Sequence, residues 1–267
     1  MVFTSAKLPC KKFHCCFRKN EPNSILNHLR KSGVKQEKRQ QREKVILDRA
    51  QELISEYGFF DLKMSDLARA AEISVGTLYV HFASKEDLLL GLAVRAGAIR
   101  TEFLATACDH DGTPLDKFIV ASLLDILFSI EKPELFEMEY LAMSPSIWRR
   151  ATVGRHQELL RKVGDATRMF QGFLDDAAPM LGADYARDQG RTLNLGSWAL
   201  SFGMNALALS EITDAHYGSL LRENAFETFC DGLTAILTGA GWTADDARKR
   251  VHALGAQYVP AHFGTSA

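Results

Sequence analysis

The stretch ISVGTLYVHFASKEDLL, residues 73–89, decides how the chain reads. Leu78 and Phe82 stand four residues apart, the spacing of an inward stripe on a helix, with Ser74 in position to cap its start. The opposite side carries Thr77, Tyr79, Val80 and His81, with no acid until Glu86. A face meant only for water is usually rich in Lys and Glu. Hydroxyls, a phenol, an imidazole and an exposed valine suit phosphate oxygens and base edges instead. Ser84 then restarts a helix, with Asp87 three residues on in the manner of a capping box.

Upstream, Ile46, Ala50, Leu53, Ile54 and Tyr57 line one face of a helix expected over 40–57, and Gly58 stands where that helix should stop. Phe59 and Phe60 are too apolar for a solvent loop and are expected in a small core. Ser65 is placed to cap a short helix whose inner face is Leu67, Ala68 and Ala71. Two short helices joined by a tight link have helix-turn-helix spacing, in which the second helix enters the major groove.

Residues 43–92 strongly resemble the N-terminal domain of TetR-family transcriptional regulators, most densely from Asp66 through TLYVHF to SKEDLL. The resemblance implies an all-α chain: a three-helix helix-turn-helix DNA-binding domain, then an all-helical ligand-binding and dimerisation domain. It also implies roles for single residues. Thr77 and Tyr79 would contact phosphates and bases, and His81 a phosphate. Lys85 would meet a phosphate at the start of the fourth helix. Val75, Gly76 and Val80 would face base edges, the valines able to touch thymine methyls but to form no hydrogen bond. Ser74, Ser65 and Met64 complete the DNA-facing set. The family often has glycine at the turn where this chain has Glu72, at a cost of roughly 1 kcal/mol if the backbone is left-handed there.

Beyond residue 96 the periodicity stays helical. Thr113–Pro114 is a helix start, Pro133 another, and a long helix, open to interruption, is expected from Pro145 to Leu181. Further helices are expected over 188–212, 220–237 and 243–258. The domains are therefore drawn as a basic, disordered extension (1–37), the DNA-binding domain (38–95), an effector-binding and dimerisation domain (96–242), and a terminal helix and tail (243–267).

In the second domain, Phe128, Phe136, Tyr140, Met143, Trp148, Met169 and Phe173 suit an apolar effector pocket, although ordinary core packing explains each as well. Arg149, Arg150 and His156 could orient an anionic group. The helix over 188–212 is apolar nearly all round, so it needs burial on two sides. With the stripe of the next helix it suggests a dimer interface through Trp198, Phe202, Leu209, Phe226, Phe229 and Leu233. A two-fold dimer would carry two reading helices to a pseudo-palindromic site.

Charge is unevenly spread. Residues 1–44 hold twelve cations against three carboxylates, or +9, so the rest carries −10 against an overall −1. A basic arm on an acidic body suits either a solvated tail or contact with a polyanion. Cys10, His14, Cys15 and Cys16 raise the alternative of a thiol- or metal-responsive regulator, but their spacing lacks the paired C-x2-C of zinc sites, and no metal or cofactor is expected. There is no nucleophile elbow and no phosphate-binding glycine loop, so an enzyme is not expected. Five cysteines make no disulfide framework, and no long apolar run suits a membrane span, so the expected site of action is the cytoplasm. The expected partners are double-stranded DNA, a second copy of the chain and a small molecule, with no membrane.

Overall fold

The computed structural model describes residues 23–178, 187–210, 215 and 224–259, and it is helical throughout, with no strand among the described residues. The chain divides into compact units at Val45/Ile46. Its first helix, α1, spans Asn23–Tyr57 and so begins well inside the segment expected to be disordered. Residues 1–22, including Cys10, His14, Cys15 and Cys16, lie outside the described residues.

In the second unit, Ile46, Ala50 and Ile54 bury the inner stripe of α1, and Gly58 at φ 80° ends it, its N–H donating to the Ile54 carbonyl. Phe59 and Leu62 turn into the core, but Phe60 is 77% exposed, against expectation. One aromatic of the pair fills the small space under the loop. The other meets it edge-on from outside.

Helix α2 (Met64–Ala70) starts two residues earlier than a cap at Ser65 implies. Its N-cap is Lys63, which makes no side-chain cap, and Ser65 sits exposed inside the first turn. Asp66 in that turn favours the positive end of the helix. The C-terminus closes as a Schellman motif: the Ile73 N–H donates to Ala68 and the Glu72 N–H to Arg69, with Glu72 at φ 54°.

Helix α3 (Val75–His81) is capped by Ser74, whose hydroxyl accepts from the Thr77 N–H. It buries Leu78, and Phe82 just past its end is fully buried as well. Two such side chains contribute about 1.5–3 kcal/mol each by leaving water. Gly91 of α4 allows this seat, since a Cβ there would meet the Phe82 ring at 2.8 Å.

Helix α4 (Lys85–Leu104) organises the rest. Its residues enter all four buried apolar clusters, from Leu88, Leu89 and Leu92 beneath the helix-turn-helix to Leu104 in the largest. It runs unbroken through position 95, and a 3-10 turn (Ala105–Asp109) follows.

Helix α5 (Pro114–Glu131) opens with a reciprocal capping box between Thr113 and Asp116, and is buried along most of its length. Arg250 grips both oxygens of the same Asp116. Burial works against that carboxylate's charge, but Arg250 and Thr113 hold it below its ordinary range. Next come α6 (Pro133–Ala142), α7 (Pro145–Arg150) and α8 (Val153–Ala177). The long helix expected from Pro145 is thus interrupted at Ala151–Thr152, where Thr152 caps α8. Helices α9 (Arg187–Ala208), α10 (Ala225–Gly239) and α11 (Ala244–Tyr258) complete the bundle. Among the described residues no helix is long and apolar enough to cross a membrane.

Candidate DNA-reading face and ligand cavity

The outer side of α3 stays bare. Val75 is 42% exposed, Tyr79 47% and Val80 72%, although each is large enough to be worth burying. Thr77 is held by a 2.8 Å hydroxyl contact with Ser74, and His81 stands half-buried at the helix end. A Cβ on Gly76 would find only the Ser74 hydroxyl, at 3.8 Å, so the fold itself does not demand glycine there. Met64 packs against the small core, leaving α2 to contribute chiefly the exposed Ser65. Lys85 is tied back: its ammonium donates to the Phe60 carbonyl at 2.7 Å and lies 4.8 Å from the centre of the Phe59 ring. Burial lowers its pKa. Two of its three N–H groups remain for an outside acceptor.

Directly behind α3, the α3–α4 link is fastened to the start of α8. Buried Asp87 accepts from the N–H and hydroxyl of Thr152 with one oxygen, and from the Ala83 N–H with the other. Arg155 donates to the carbonyl of His81 at 3.2 Å and stacks over the Phe82 ring at 4.6 Å. Arg150 reaches Glu86, and the Ser84 hydroxyl donates to the Arg150 carbonyl.

Further along, α4, α5, α6, α8 and α9 enclose a cavity of about 510 Å³, a volume within the usual range for a small-molecule site. Its wall is mostly apolar, with Phe170, Trp198 and Phe202 among its ring faces. One side is a buried ionic cluster. Arg100 donates to Asp125 at 2.6 Å, to Glu139 at 2.6 Å and to Ser129 at 3.2 Å, while Ser201 donates to Asp125 at 2.6 Å. Burial pushes the Glu139 carboxyl up, more than Arg100 pulls it down, and Asp125 competes for the same guanidinium. Lys162, Arg168 and Arg191 also line the cavity, the first two in ion pairs with Asp165.

Of the seven side chains expected at a pocket, Met143 lines this cavity. Phe128 and Phe173 are core residues, Met169 packs on the largest cluster, and Phe136 is buried against Phe202. Tyr140 is 45% exposed. Trp148 stacks on His156 and donates to the Ala142 carbonyl, near the α8 start and away from the cavity wall. Arg149, Arg150 and His156 are likewise absent from that wall.

The residues expected at a dimer interface also divide. Phe226, Phe229 and Leu233 are spent inside the chain's own core, where α10 packs on α5 and α9. Trp198 and Phe202 line the cavity, and Leu209 is 45% exposed. The cluster of Arg100, Asp125 and Glu139 escaped sequence reading, although Asp125 inside the apolar run LLDILF was a usable signal. A carboxylate there must find a buried partner.

Residues 46–92 match the family model described as bacterial regulatory proteins, tetR family. The fatty acid metabolism regulator protein of Bacillus subtilis is 40% identical over 47 residues, 18% of this chain and 24% of that protein. The HTH-type transcriptional regulator UidR of Escherichia coli is 42% identical over 50 residues, 19% of this chain and 26% of that protein. The matched segment thus spans about a quarter of these relatives. Among solved structures, RolR in complex with resorcinol superposes with a TM-score of 0.53 at 19% identity, covering 80% of this chain and 95% of that one. A tetR-family regulatory protein from Rhodococcus RHA1 gives 0.50 at 14% identity, covering 79% and 96%. At these identities the likeness is one of fold, and it extends well beyond the segment that the family model matches.

Proposed function

We propose that this chain, which belongs to the tetR family of bacterial regulatory proteins through its residues 46–92, is a ligand-responsive transcriptional repressor acting in the cytoplasm. As a homodimer it binds a pseudo-palindromic DNA site, and a small, mostly apolar effector releases it. The observation that carries the reading is the bare outer face of α3, where Tyr79 and Val80 stand exposed around an unobstructed Gly76. Residues with no packing reason to be there have the chemistry of a groove.

The cavity supports the effector. Ring faces on α8 and α9 suit a flat apolar body, and the Arg100 cluster supplies the few polar groups that orient it. Leu207 on α9 and Leu209 just past its end, exposed at 51% and 45%, support the second copy, since exposed apolar side chains gain by covering one another.

A gel shift with the DNA upstream of the chain's own coding sequence tests the reading, with wild type beside Tyr79→Ala. Wild type should give a specific, salt-sensitive complex that the variant weakens about tenfold or more, equivalent to ~1.4 kcal/mol. Equal binding by both proteins, or no specific complex with wild type, would remove DNA reading from α3.

A further inference from the structure

The charges on the cavity wall sort by depth. Arg100 is the deep one, its side chain 12% exposed, and it is matched by Asp125 and Glu139. Asp125 takes a further bond from Ser201. A cation entering from outside would have to break one of these pairs and strand a buried guanidinium. Among the described residues, the other charged side chains of the wall are all cationic: Lys162 and Arg168 of α8, and Arg191 of α9. They stand toward solvent, the Arg168 side chain 71% exposed and Arg191 exposed as well. Lys162 and Arg168 share one carboxylate, that of Asp165, at 3.5 and 2.5 Å. Asn194, close to one turn beyond Arg191, donates to the Thr167 carbonyl at 3.3 Å, so α8 and α9 touch where Arg168 and Arg191 stand. The solvent side of the cavity is thus positive, while its depth is neutralised from within.

We propose that the effector is an amphipathic monoanion, with a ring-containing apolar body inside the cavity and a carboxylate or sulfonate held at the solvent side by Lys162, Arg168 and Arg191. This deepens the effector reading above and rests on it. Two cations on one carboxylate leave a positive charge even before Arg191 is counted, and low-dielectric walls concentrate its field. An anionic group there gains charge-assisted bonds and stays partly hydrated, so its desolvation costs little. The body meets the ring faces of Phe170, Trp198 and Phe202. A cationic ligand would be repelled at the solvent side and would find both inner carboxylates spent on Arg100. A neutral apolar ligand would use the ring faces and leave the three cations idle.

Two fluorescent dyes with the same ring body test it: anilinonaphthalenesulfonate, which carries an anionic group, and phenylnaphthylamine, which does not. Each would be titrated into the full chain as wild type, as the combined variant Lys162→Gln, Arg168→Gln, Arg191→Gln, and as Ala166→Phe, which puts a ring on the cavity wall. The combined variant should bind the sulfonate about tenfold more weakly, and the neutral dye within about twofold of wild type. Ala166→Phe should weaken both dyes. Naphthoate should displace the sulfonate from wild type, and naphthamide should do so far less. Equal thermal midpoints for wild type and the combined variant would exclude unfolding as the cause. If the combined variant weakens both dyes alike, or neither, the cations do not select the ligand and the inference fails. The apolar-effector reading then survives on the loss of the neutral dye in Ala166→Phe. The displacement arm needs no variant, and equal displacement by naphthoate and naphthamide also overturns the inference. If Ala166→Phe folds and binds both dyes as wild type does, the dyes sit outside the cavity and the inference fails. If wild type binds neither dye, the effector reading falls with it.

Discussion

Glu72 shows how a single residue departs from the local optimum without changing the fold. The Schellman closure of α2 needs a left-handed residue, and Glu72 supplies it at φ 54°. A side chain with a Cβ costs roughly 1 kcal/mol there, and glycine would not. Glu72→Gly should therefore raise stability by about 0.5 kcal/mol or more, after allowing for glycine's larger unfolded-state entropy. A thermal melt beside wild type checks this, and a lower midpoint would show that the acid earns its position through some contact. Ser65 teaches the companion lesson. A serine just before an apolar stripe is a good cap only if the backbone leaves it outside the helix, and here α2 takes it in.

At the scale of elements, α4 and α8 both begin beside the end of α3, and both line the cavity further along. Their starts are knotted together by Asp87, Thr152 and Arg155, and Arg155 holds the last carbonyl of α3. A shift of α8 against α4 at the cavity must therefore be felt where α3 ends. Arg155→Ala removes the stack on Phe82, the bond to His81, the ion pair with Glu158 and the cation 3.8 Å from Asp87, while Asp87 keeps its three bonds from Thr152 and Ala83. The expected result is a stability loss of about 1–3 kcal/mol and weaker DNA binding. Arg155→Lys should recover part of both, since the charge returns but the planar stack does not. Denaturant titration and gel shift on the same preparations check it. Unchanged DNA affinity in a folded Arg155→Ala protein would mean that α3 needs no support from α8.

For the whole molecule, the cavity places two carboxylates against one arginine in the middle of the bundle. Because burial raises the pKa of Glu139, the folded state binds its proton more tightly than the unfolded chain does. That contribution to stability is complete below the ordinary glutamate range, near 4.3, and is lost as pH rises through the raised value. Glu139→Gln cannot titrate. Its stability relative to wild type should therefore climb as pH increases across that window and level off above it. Thermal midpoints of both proteins from about pH 4 upward measure this. A constant difference would mean that Glu139 titrates alike in the folded and unfolded chains.

Local spacing was enough for most of the helices, for the caps at Ser74, Ser84 and Thr113, and for the stop at Gly58, because a cap or a stripe involves residues a few positions apart. It was also enough for the exposed outer side of α3, where about two turns of helix carry both the inward and the outward side. The cavity was another matter. Arg100, Phe170 and Trp198 come from different helices, and whether an aromatic such as Phe173 fills a core or faces a void depends on which helix lies opposite. The same holds for Phe226, Phe229 and Leu233: the stripe is plain in the sequence, but only packing in three dimensions decides that other helices of this chain bury it.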